Sequence, residues 1–208
     1  MASLDSATIV RLLEPYAPVD ESQLESISTY IDLLLKWNAR INLTAVREPR
    51  EIVTRHFGES LFVAQHLLDS SSSSTVADLG SGAGFPGVPL AMWAPQAKVT
   101  LIESNRKKAA FLNELIYQLE LGNAKVFSRR AEDYPEKSKL VTMRAVEKFE
   151  GVLPVAAGLL APDGRLGLMI GAGQGDTARK ALNSLNWSTP IPVPGGHSRV
   201  LLVGTRMV

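Results

Sequence analysis

The stretch from Val76 to Gly87 constrains the fold more than any other part of the chain, because a short apolar run ends in an acid and then in closely spaced glycines. The run that ends at Leu79 is strand-like. Glycine lets backbone N–H groups approach a ligand closely, and Pro86 suits the first turn of a helix, where its missing donor costs nothing. The stretch therefore predicts a strand, a loop that binds a nucleotide-like ligand, and the start of a helix.

The glycines of this loop fit two cofactor patterns. One is G-x-G-x-x-G, the dinucleotide fingerprint, made by Gly82, Gly84 and Gly87. The other is D-x-G-x-G-x-G, the pattern of loops that bind S-adenosylmethionine (SAM), made by Asp78, Gly80, Gly82 and Gly84. Only the second pattern also uses the acid, and it therefore favours SAM over NAD.

A second acid, Glu103, ends the next strand-like run and is placed to accept hydrogen bonds from both ribose hydroxyls of a bound nucleoside. NAD enzymes carry an acid at the same place, so Glu103 predicts a ribose site without naming the cofactor.

Composition excludes several classes of protein. The chain has 208 residues and no cysteine, which excludes disulfides, thiolate zinc sites and cysteine nucleophiles. The first residues carry neither a basic nor an apolar signal region, and no window is apolar enough to span a bilayer, so we expect a cytoplasmic protein. The net charge of +1 argues against general nucleic-acid affinity but allows a local basic patch.

Helical periodicity dominates the first seventy residues. Predicted helices cover about 6–16, then 20–41 with a capping box at Asp20 and Gln23, and then about 49–68, opened by Pro49. A serine run at 70–74 marks the change to strand-like periodicity. We therefore predict a helical extension over residues 1–70 and a SAM-binding domain over 75–208.

After the serine run, strands and helices alternate, which predicts an α/β fold with a parallel sheet covered on both faces. The predicted parallel strands are 75–79, 98–103, 124–128, 140–144 and 166–170. Asp176 is predicted to cap a helix that runs to about Leu185, and 191–193 with 199–204 form a closing hairpin. Five parallel strands and a hairpin make the seven-stranded, Rossmann-like sheet of SAM-dependent methyltransferases.

Ligands of such sheets bind beyond the carboxyl ends of the strands. Arginines collect at that edge, where Arg129 follows the third strand, Arg144 ends the fourth and Arg199 begins the last. Because Arg144 ends a buried strand, it requires an anion, which is either RNA or an internal carboxylate. His56, His66 and His197 lack metal-ligand spacing, so we predict no metal site.

Several separate segments together resemble the glucose-inhibited division protein B family, the guanine-N7 methyltransferases of bacterial 16S ribosomal RNA. The segments are Trp37-Asn38, Ile41-Asn42-Leu43-Thr44-Ala45, Arg55-His56, Asp78 through Gly87 with Gly84-Phe85-Pro86-Gly87, Glu103-Ser104 and Arg144-Ala145. The glycine loop alone indicates a SAM enzyme, and the Asn-Leu-Thr-Ala and Gly-Phe-Pro-Gly segments make the resemblance specific. Glu59 and Glu103 stand where the family usually has aspartate.

The resemblance implies a role for each matched residue. The cofactor would contact Asp78, Gly80, Gly82, Gly84, Phe85, Glu103, Ala131, Glu132 and Arg144. The RNA would contact Arg55, His56, Arg129, Arg144 and Arg199. Arg144 is the candidate catalytic residue, beside the methyl donor. The implied partner is 16S rRNA or the 30S subunit, with no membrane contact and the chain acting as a monomer.

Guanine N7 carries a lone pair and needs no general base, which agrees with a sequence that has no evident base dyad. Two alternatives stay open at this point. The glycine register Gly82-Gly84-Gly87 would suit a nicotinamide-dependent oxidoreductase, and an RNA-binding module that has lost turnover would keep the same fold.

Overall fold

The computed structural model describes residues 4–146, 148–196 and 198–206. The helices are α1 (Ser6–Leu13), α2 (Glu21–Asn38), α3 (Pro49–Glu51), α4 (Glu59–Leu67), α5 (Gly87–Trp93), α6 (Arg106–Gln118), α7 (Phe149–Gly158) and α8 (Gly175–Ala181). The strands are β1 (Thr75–Leu79), β2 (Lys98–Ile102), β3 (Ala124–Phe127), β4 (Ser138–Arg144), β5 (Leu160–Gly171), β6 (Leu185–Trp187), β7 (Ile191–Pro192) and β8 (Arg199–Arg206). A π-helical segment, Ile52–Gly58, joins α3 to α4.

The strands form one sheet in the order β3-β2-β1-β4-β5-β8-β6, with β7 also paired to β8. The pairs from β3 to β5 are all parallel, whereas β8 runs antiparallel to β5, β6 and β7. The carboxyl ends of β1 to β5 therefore lie at one edge, and this edge carries the glycine loop after β1. The predicted α/β sheet of five parallel strands with an antiparallel end is confirmed.

Each face of the sheet has its own apolar core. Val99 and Leu101 of β2 face one core with the N-terminal helices, α5 and α6, whereas Ile102 faces the other core with α7 and α8. This alternation follows from the two-residue period of a strand. Because both faces are covered, the parallel strands are almost continuously apolar, as the sequence predicted.

The N-terminal helices agree with the sequence at α2 and differ before α4. Asp20 and Gln23 form the predicted capping box, in which each side chain accepts from the other residue's backbone N–H. The single helix predicted over 49–68 is wrong in its middle, where the π-helical segment Ile52–Gly58 replaces α-helical turns. A π-helical turn widens the helix by one residue and changes the direction of the side chains that follow.

The C-terminal part corrects two predictions. The helix predicted to begin at Asp176 and run to about Leu185 ends at Ala181, with Gln174 at its cap position. Its predicted last residue, Leu185, is the first residue of β6, a short edge strand that the sequence interpretation missed. The predicted pairing of 191–193 with 199–204 is present as β7 and β8.

No helix among the described residues is long and apolar enough to cross a membrane.

Candidate active site

The loop after β1 takes a backbone conformation that glycine favours. Gly80, Gly82 and Gly84 have φ of +65°, +54° and +92°, in the left-handed region that other residues rarely adopt. A Cβ at Gly84 would lie 2.3 Å from the Tyr30 hydroxyl, whereas a Cβ at Gly82 would meet nothing closer than 3.6 Å. Gly84 therefore serves packing toward the core, and Gly82 faces open space where a ligand can approach.

Asp78 supports the loop from behind and does not face a cleft. Its carboxylate is buried, accepting hydrogen bonds from the Gly87 backbone N–H at 3.2 Å and the Thr142 hydroxyl at 2.8 Å. Burial raises the pKa of Asp78 to about 6, although both hydrogen bonds act in the opposite direction. The acid of the D-x-G-x-G-x-G pattern thus holds the start of α5 against β4, one layer below the ligand-facing backbone.

The N-terminal helices fix the other side of the loop. The Tyr30 hydroxyl of α2 donates to the Ala83 carbonyl, and its ring stacks on Phe85 with centroids 4.9 Å apart. Phe85 also stacks on His56 at 4.8 Å. The loop is therefore clamped between Asp78 and a cluster of rings supplied by the first seventy residues.

Glu103, at the end of β2, bonds to the glycine loop and to the start of α6. Its Oε2 accepts from the Gly82 N–H at 3.0 Å, and its Oε1 accepts from the Asn105 N–H at 2.8 Å. Each oxygen of a carboxylate accepts two hydrogen bonds, so both keep a lone pair for a ligand.

A cleft of about 240 Å³ opens beside Glu103. Its walls are apolar on the sheet side and along α7, and polar at the rim. It is lined by Leu79, Gly80, Ile102, Glu103, Ser104, Arg129, Arg130, Ala131, Glu132, Val146, Val152 and Val155. An apolar slot with the Glu103 carboxylate beside the glycine loop fits a nucleoside, with the flat base between apolar walls and the ribose hydroxyls on Glu103.

A second cleft, of about 280 Å³, lies on the other side of Gly80. It is lined by Leu43, Thr44, Ala45, His56, Gly80, Ser81, Gly82, Ala83, Phe85, Lys108, Arg144 and Ala145. The two clefts share Gly80 and meet over the glycine loop. Residues from before the serine run and from the sheet together form the second cleft.

Arg144 ends β4 in a buried ion-pair cluster. Its Nη2 donates to Glu59 Oε2 at 3.1 Å and to the Arg55 carbonyl at 2.6 Å. Glu59 is 1% exposed and also pairs with Arg199 through its other oxygen. The anion that the sequence required for Arg144 is thus an internal carboxylate from α4. One carboxylate serves two guanidinium groups, so the cluster keeps a net positive charge beside the second cleft.

His56 is nearly enclosed between this cluster and Phe85. Its Nε2 lies 2.8 Å from the Thr44 hydroxyl oxygen and its Nδ1 lies 3.4 Å from Arg144 Nη2. Burial lowers the pKa of His56 to about 3, with Arg144 and Arg55 acting in the same direction. The ring is therefore neutral at physiological pH.

The predicted site residues lie in the two clefts, behind the glycine loop and in the Glu59 ion-pair cluster. Gly80, Glu103, Ala131, Glu132 and Arg129 line the 240 Å³ cleft, and Gly80, Gly82, Phe85, His56 and Arg144 line the 280 Å³ cleft. Arg55 is exposed next to the second cleft, whereas Asp78 and Gly84 lie behind the loop and Arg199 belongs to the Glu59 cluster.

The predicted absence of a metal site can be compared only with part of the chain. No group of three or more metal-ligating side chains occurs among the described residues, and His197 lies outside them.

The sequence interpretation missed the functions of Tyr30, Thr142 and Glu59. Tyr30 stands on the apolar face of α2 and looks like any core aromatic residue, and Thr142 is a polar residue inside a predicted buried strand. Only Glu59 carried a signal, as an acid on an apolar helix face, and a buried acid requires a partner.

Comparison with known proteins agrees with this arrangement. Residues 23–192 match the family model described as rRNA small subunit methyltransferase G, GidB. The ribosomal RNA small subunit methyltransferase G of Xanthomonas euvesicatoria is 45% identical over 168 residues, which are 80% of this chain and 77% of that protein. The protein of the same name from Stenotrophomonas maltophilia is 40% identical over 183 residues, 85% of this chain and 84% of that protein.

Solved structures agree on the fold. A SAM-dependent O-methyltransferase from Thermotoga maritima superimposes with a TM-score of 0.60 at 17% identity, covering 84% of this chain and 71% of that one. A ribosomal protein L11 methylase from Lactobacillus delbrueckii gives 0.63 at 17% identity, covering 74% and 80%. These structures support the methyltransferase fold, and the sequence matches are specific: the chain belongs to the GidB family, rRNA small subunit methyltransferase G.

Proposed function

We propose that the chain transfers a methyl group from SAM to N7 of a guanine in 16S ribosomal RNA. The observation that carries the proposal is the pair of clefts that meet over the glycine loop at Gly80. One cleft fits a nucleoside, and the other is an open, positively charged site for an incoming base. The family relatives are named for small-subunit rRNA, which agrees with this division.

The 240 Å³ cleft fits the adenosine part of SAM. Glu103 would hold the ribose hydroxyls with its remaining lone pairs, and Ala131 and Glu132 would lie along the adenine. Gly82 would allow the rest of the cofactor to cross the loop, because no side chain fills the space above it. SAM, when bound, supplies a methyl group on a sulfonium sulfur.

The RNA would approach across the second cleft. Arg55 is exposed at its border, Lys108 forms part of its wall, and the Glu59 cluster beneath it has an excess positive charge. Arg129 lies at the rim of the adenosine cleft and would extend the same surface. Phosphate contacts position an RNA without reading its sequence, so these groups would orient the substrate.

Arg144 is the proposed catalytic residue. Its guanidinium lines the second cleft while Glu59 and the Arg55 carbonyl hold it in place. Guanine N7 gains positive charge as it accepts the methyl group, so the guanidinium would act by binding an RNA phosphate and orienting the base, and not by stabilising charge on the ring. Guanine N7 has no proton to lose, and the buried neutral His56 is not placed to act as a base with a pKa of about 3. The chain's contribution is then positioning, which is worth about 7–11 kcal/mol at best.

We further propose that the chain acts as a monomer on the ribosomal particle, since one copy of the chain already forms both clefts.

The test is transfer of tritium from labelled SAM to 30S subunits from a strain that lacks this protein, with the labelled nucleotide mapped. Naked 16S rRNA forms a parallel arm that distinguishes RNA from an assembled particle. Label at guanine N7 is expected, and label on another atom would refute the proposal. SAM binding without transfer to either substrate would indicate a non-catalytic RNA-binding module, and NADH binding with fluorescence quenching would indicate an oxidoreductase.

A further inference from the structure

The Asn-Leu-Thr-Ala segment after α2 forms a rigid wall of the second cleft. The Asn38 side chain is buried, and its amide group donates to the Thr44 carbonyl at 2.9 Å. Its Oδ1 accepts from the Leu43 and Thr44 backbone N–H groups at 2.9 and 3.1 Å. One side chain thus satisfies three backbone groups of the turn. The clamp fixes where the Thr44 hydroxyl lies.

The neighbouring ion-pair cluster determines which nitrogen of His56 carries the proton. Arg144 can only donate, and its Nη2 lies 3.4 Å from His56 Nδ1. Both Nη2 hydrogens point chiefly at Glu59 and the Arg55 carbonyl, but a proton on Nδ1 would still face this donor nitrogen, so we assign the lone pair of the neutral ring to Nδ1 and the proton to Nε2. That proton is donated to Thr44 Oγ1, 2.8 Å away. The low pKa of His56 keeps this arrangement at physiological pH.

Thr44 Oγ1 is thereby an acceptor on two sides. It receives the His56 Nε2 proton and the Val46 backbone N–H, which lies 3.1 Å away. A hydroxyl has two acceptor positions and one donor proton. Both acceptor positions are occupied, and among the hydrogen bonds of the described residues no acceptor remains for the Thr44 proton. Thr44 is half-buried and lines the second cleft, so this proton is available to a ligand there.

We propose that the Thr44 hydroxyl donates a hydrogen bond to O6 of the target guanine and so selects guanine over adenine. The inference rests on the proposed function. Guanine presents an acceptor at O6 next to N7, whereas adenine presents an amino donor at the equivalent place. A hydroxyl whose acceptor positions are already filled can donate a hydrogen bond to guanine O6. It cannot accept one from the amino group of adenine, so two donors would face each other there. It also leaves the N7 lone pair unoccupied, which a bidentate contact to O6 and N7 would not.

Thr44 suits this task better than Arg144, although both line the cleft. The Nη2 hydrogens of Arg144 are engaged by Glu59 and the Arg55 carbonyl. Its other donors suit an RNA phosphate, which carries no information about the base. The Thr44 hydroxyl is held by Asn38 through the backbone and by His56 through the oxygen. Discrimination between two bases needs a donor fixed in direction, and Thr44 provides one.

The experiment compares Thr44→Val, which has the same shape without a hydroxyl, with Thr44→Ser, which keeps it. Substrates are 30S subunits reconstituted with guanine or with 2-aminopurine at the mapped target. The second base keeps N7 and lacks O6. Single-turnover rates at saturating SAM are measured, with SAM affinity by calorimetry and thermal unfolding for each protein.

The wild type should methylate 2-aminopurine at least about tenfold more slowly than guanine, the size of one lost hydrogen bond at a buried site. Thr44→Val should slow transfer to guanine by a similar factor and leave the rate on 2-aminopurine unchanged. Thr44→Ser should recover the guanine rate to within about threefold. SAM affinity should stay within a few-fold throughout, because Thr44 lies outside the adenosine cleft.

Equal slowing of both bases by Thr44→Val would make Thr44 structural and overturn the inference. So would a wild type that methylates both bases at the same rate, a result that does not depend on how the variant folds. A wild type that methylates no guanine N7 would instead overturn the proposed function. A wild type active on guanine with a fully active Thr44→Val would overturn the inference alone.

Discussion

Replacing Glu59 with glutamine should destabilise the protein strongly, because this carboxylate is the shared anion for Arg144 and Arg199. The Glu59 side chain is 1% exposed, and those of the two arginines are 13% and 32% exposed. Glutamine keeps the shape and one acceptor oxygen, but its amide group would present N–H donors to a guanidinium. Two positive charges would then lie close together with no compensating charge.

Removing one partner of a buried ion pair costs about 3–5 kcal/mol, because the other charge stays buried without compensation. In a chain of 208 residues, each kcal/mol lowers the melting temperature by about 2–4 °C. Glu59→Gln should therefore melt about 6–20 °C below the wild type.

A matched control is available on the surface. Glu136 pairs with Lys125 at 3.0 Å, but their side chains are 57% and 60% exposed. Glu136→Gln makes the same chemical change where solvent screens the charges, and such pairs are worth at most about 1 kcal/mol. Its melting temperature should fall by no more than about 4 °C.

Both variants are compared with the wild type by thermal and urea denaturation followed by circular dichroism. If Glu59→Gln and Glu136→Gln melt at the same temperature, the argument that burial makes Glu59 the anchor of this cluster is refuted. A second run at high salt separates the two sites further, since salt screens the exposed pair and leaves the buried cluster largely unaffected.

Three further predictions concern the loop and the second cleft. Gly82→Val should abolish SAM binding, measured by calorimetry, in a protein that still melts cooperatively, because φ of +54° disfavours a β-branched residue and its side chain would occupy the ligand's space. Arg144→Ala should bind SAM within a few-fold of wild type and methylate 30S subunits at least about a hundredfold more slowly, about 2.7 kcal/mol; unchanged turnover would make Arg144 structural. His56 is neutral when folded and binds a proton near pH 6.5 when unfolded, so its contribution to stability is present above that pH and lost as pH falls toward 3. Between pH 7 and pH 5 the wild type should lose about 2 kcal/mol more unfolding free energy than His56→Gln, measured by urea titration, and parallel losses would contradict the burial argument.

Local chemistry explains what could be predicted from the sequence. Positive φ at Gly80, Gly82 and Gly84 requires glycine in the sequence, and a capping box requires particular side chains at fixed spacing, so both features can be found without tertiary information. The parallel sheet followed from apolar runs that alternate with helical periods. Four of the five parallel strands were placed within two residues, whereas β5 begins at Leu160, six residues before its predicted start.

The missed elements have weak local signals. The strand β6 has three residues, and its place is decided by pairing with β8, which comes later in the chain. The π-helical segment Ile52–Gly58 has the same apolar spacing as an α-helix over so short a stretch. Two residues outside the segment contact it: Arg144 donates a hydrogen bond to the Arg55 carbonyl, and Phe85 stacks on His56.

The candidate site shows the same limit more sharply. The sequence predicted an anion beside Arg144 because a buried guanidinium requires one, and Glu59 is that anion. The sequence could not say which of the chain's acids would meet this requirement, because Glu59 is 85 residues away and the choice depends on how α4 packs on the sheet. The serine run separates two patterns of periodicity, but residues before it take part in the site. Thr44 and His56 line the second cleft, Asn38 holds the turn that carries Thr44, and Glu59 anchors the ion-pair cluster. The division into two domains at 70–74 stays a prediction. The second cleft is lined by residues from both sides of this boundary. A substitution before the run is therefore expected to change catalysis as directly as one in the glycine loop.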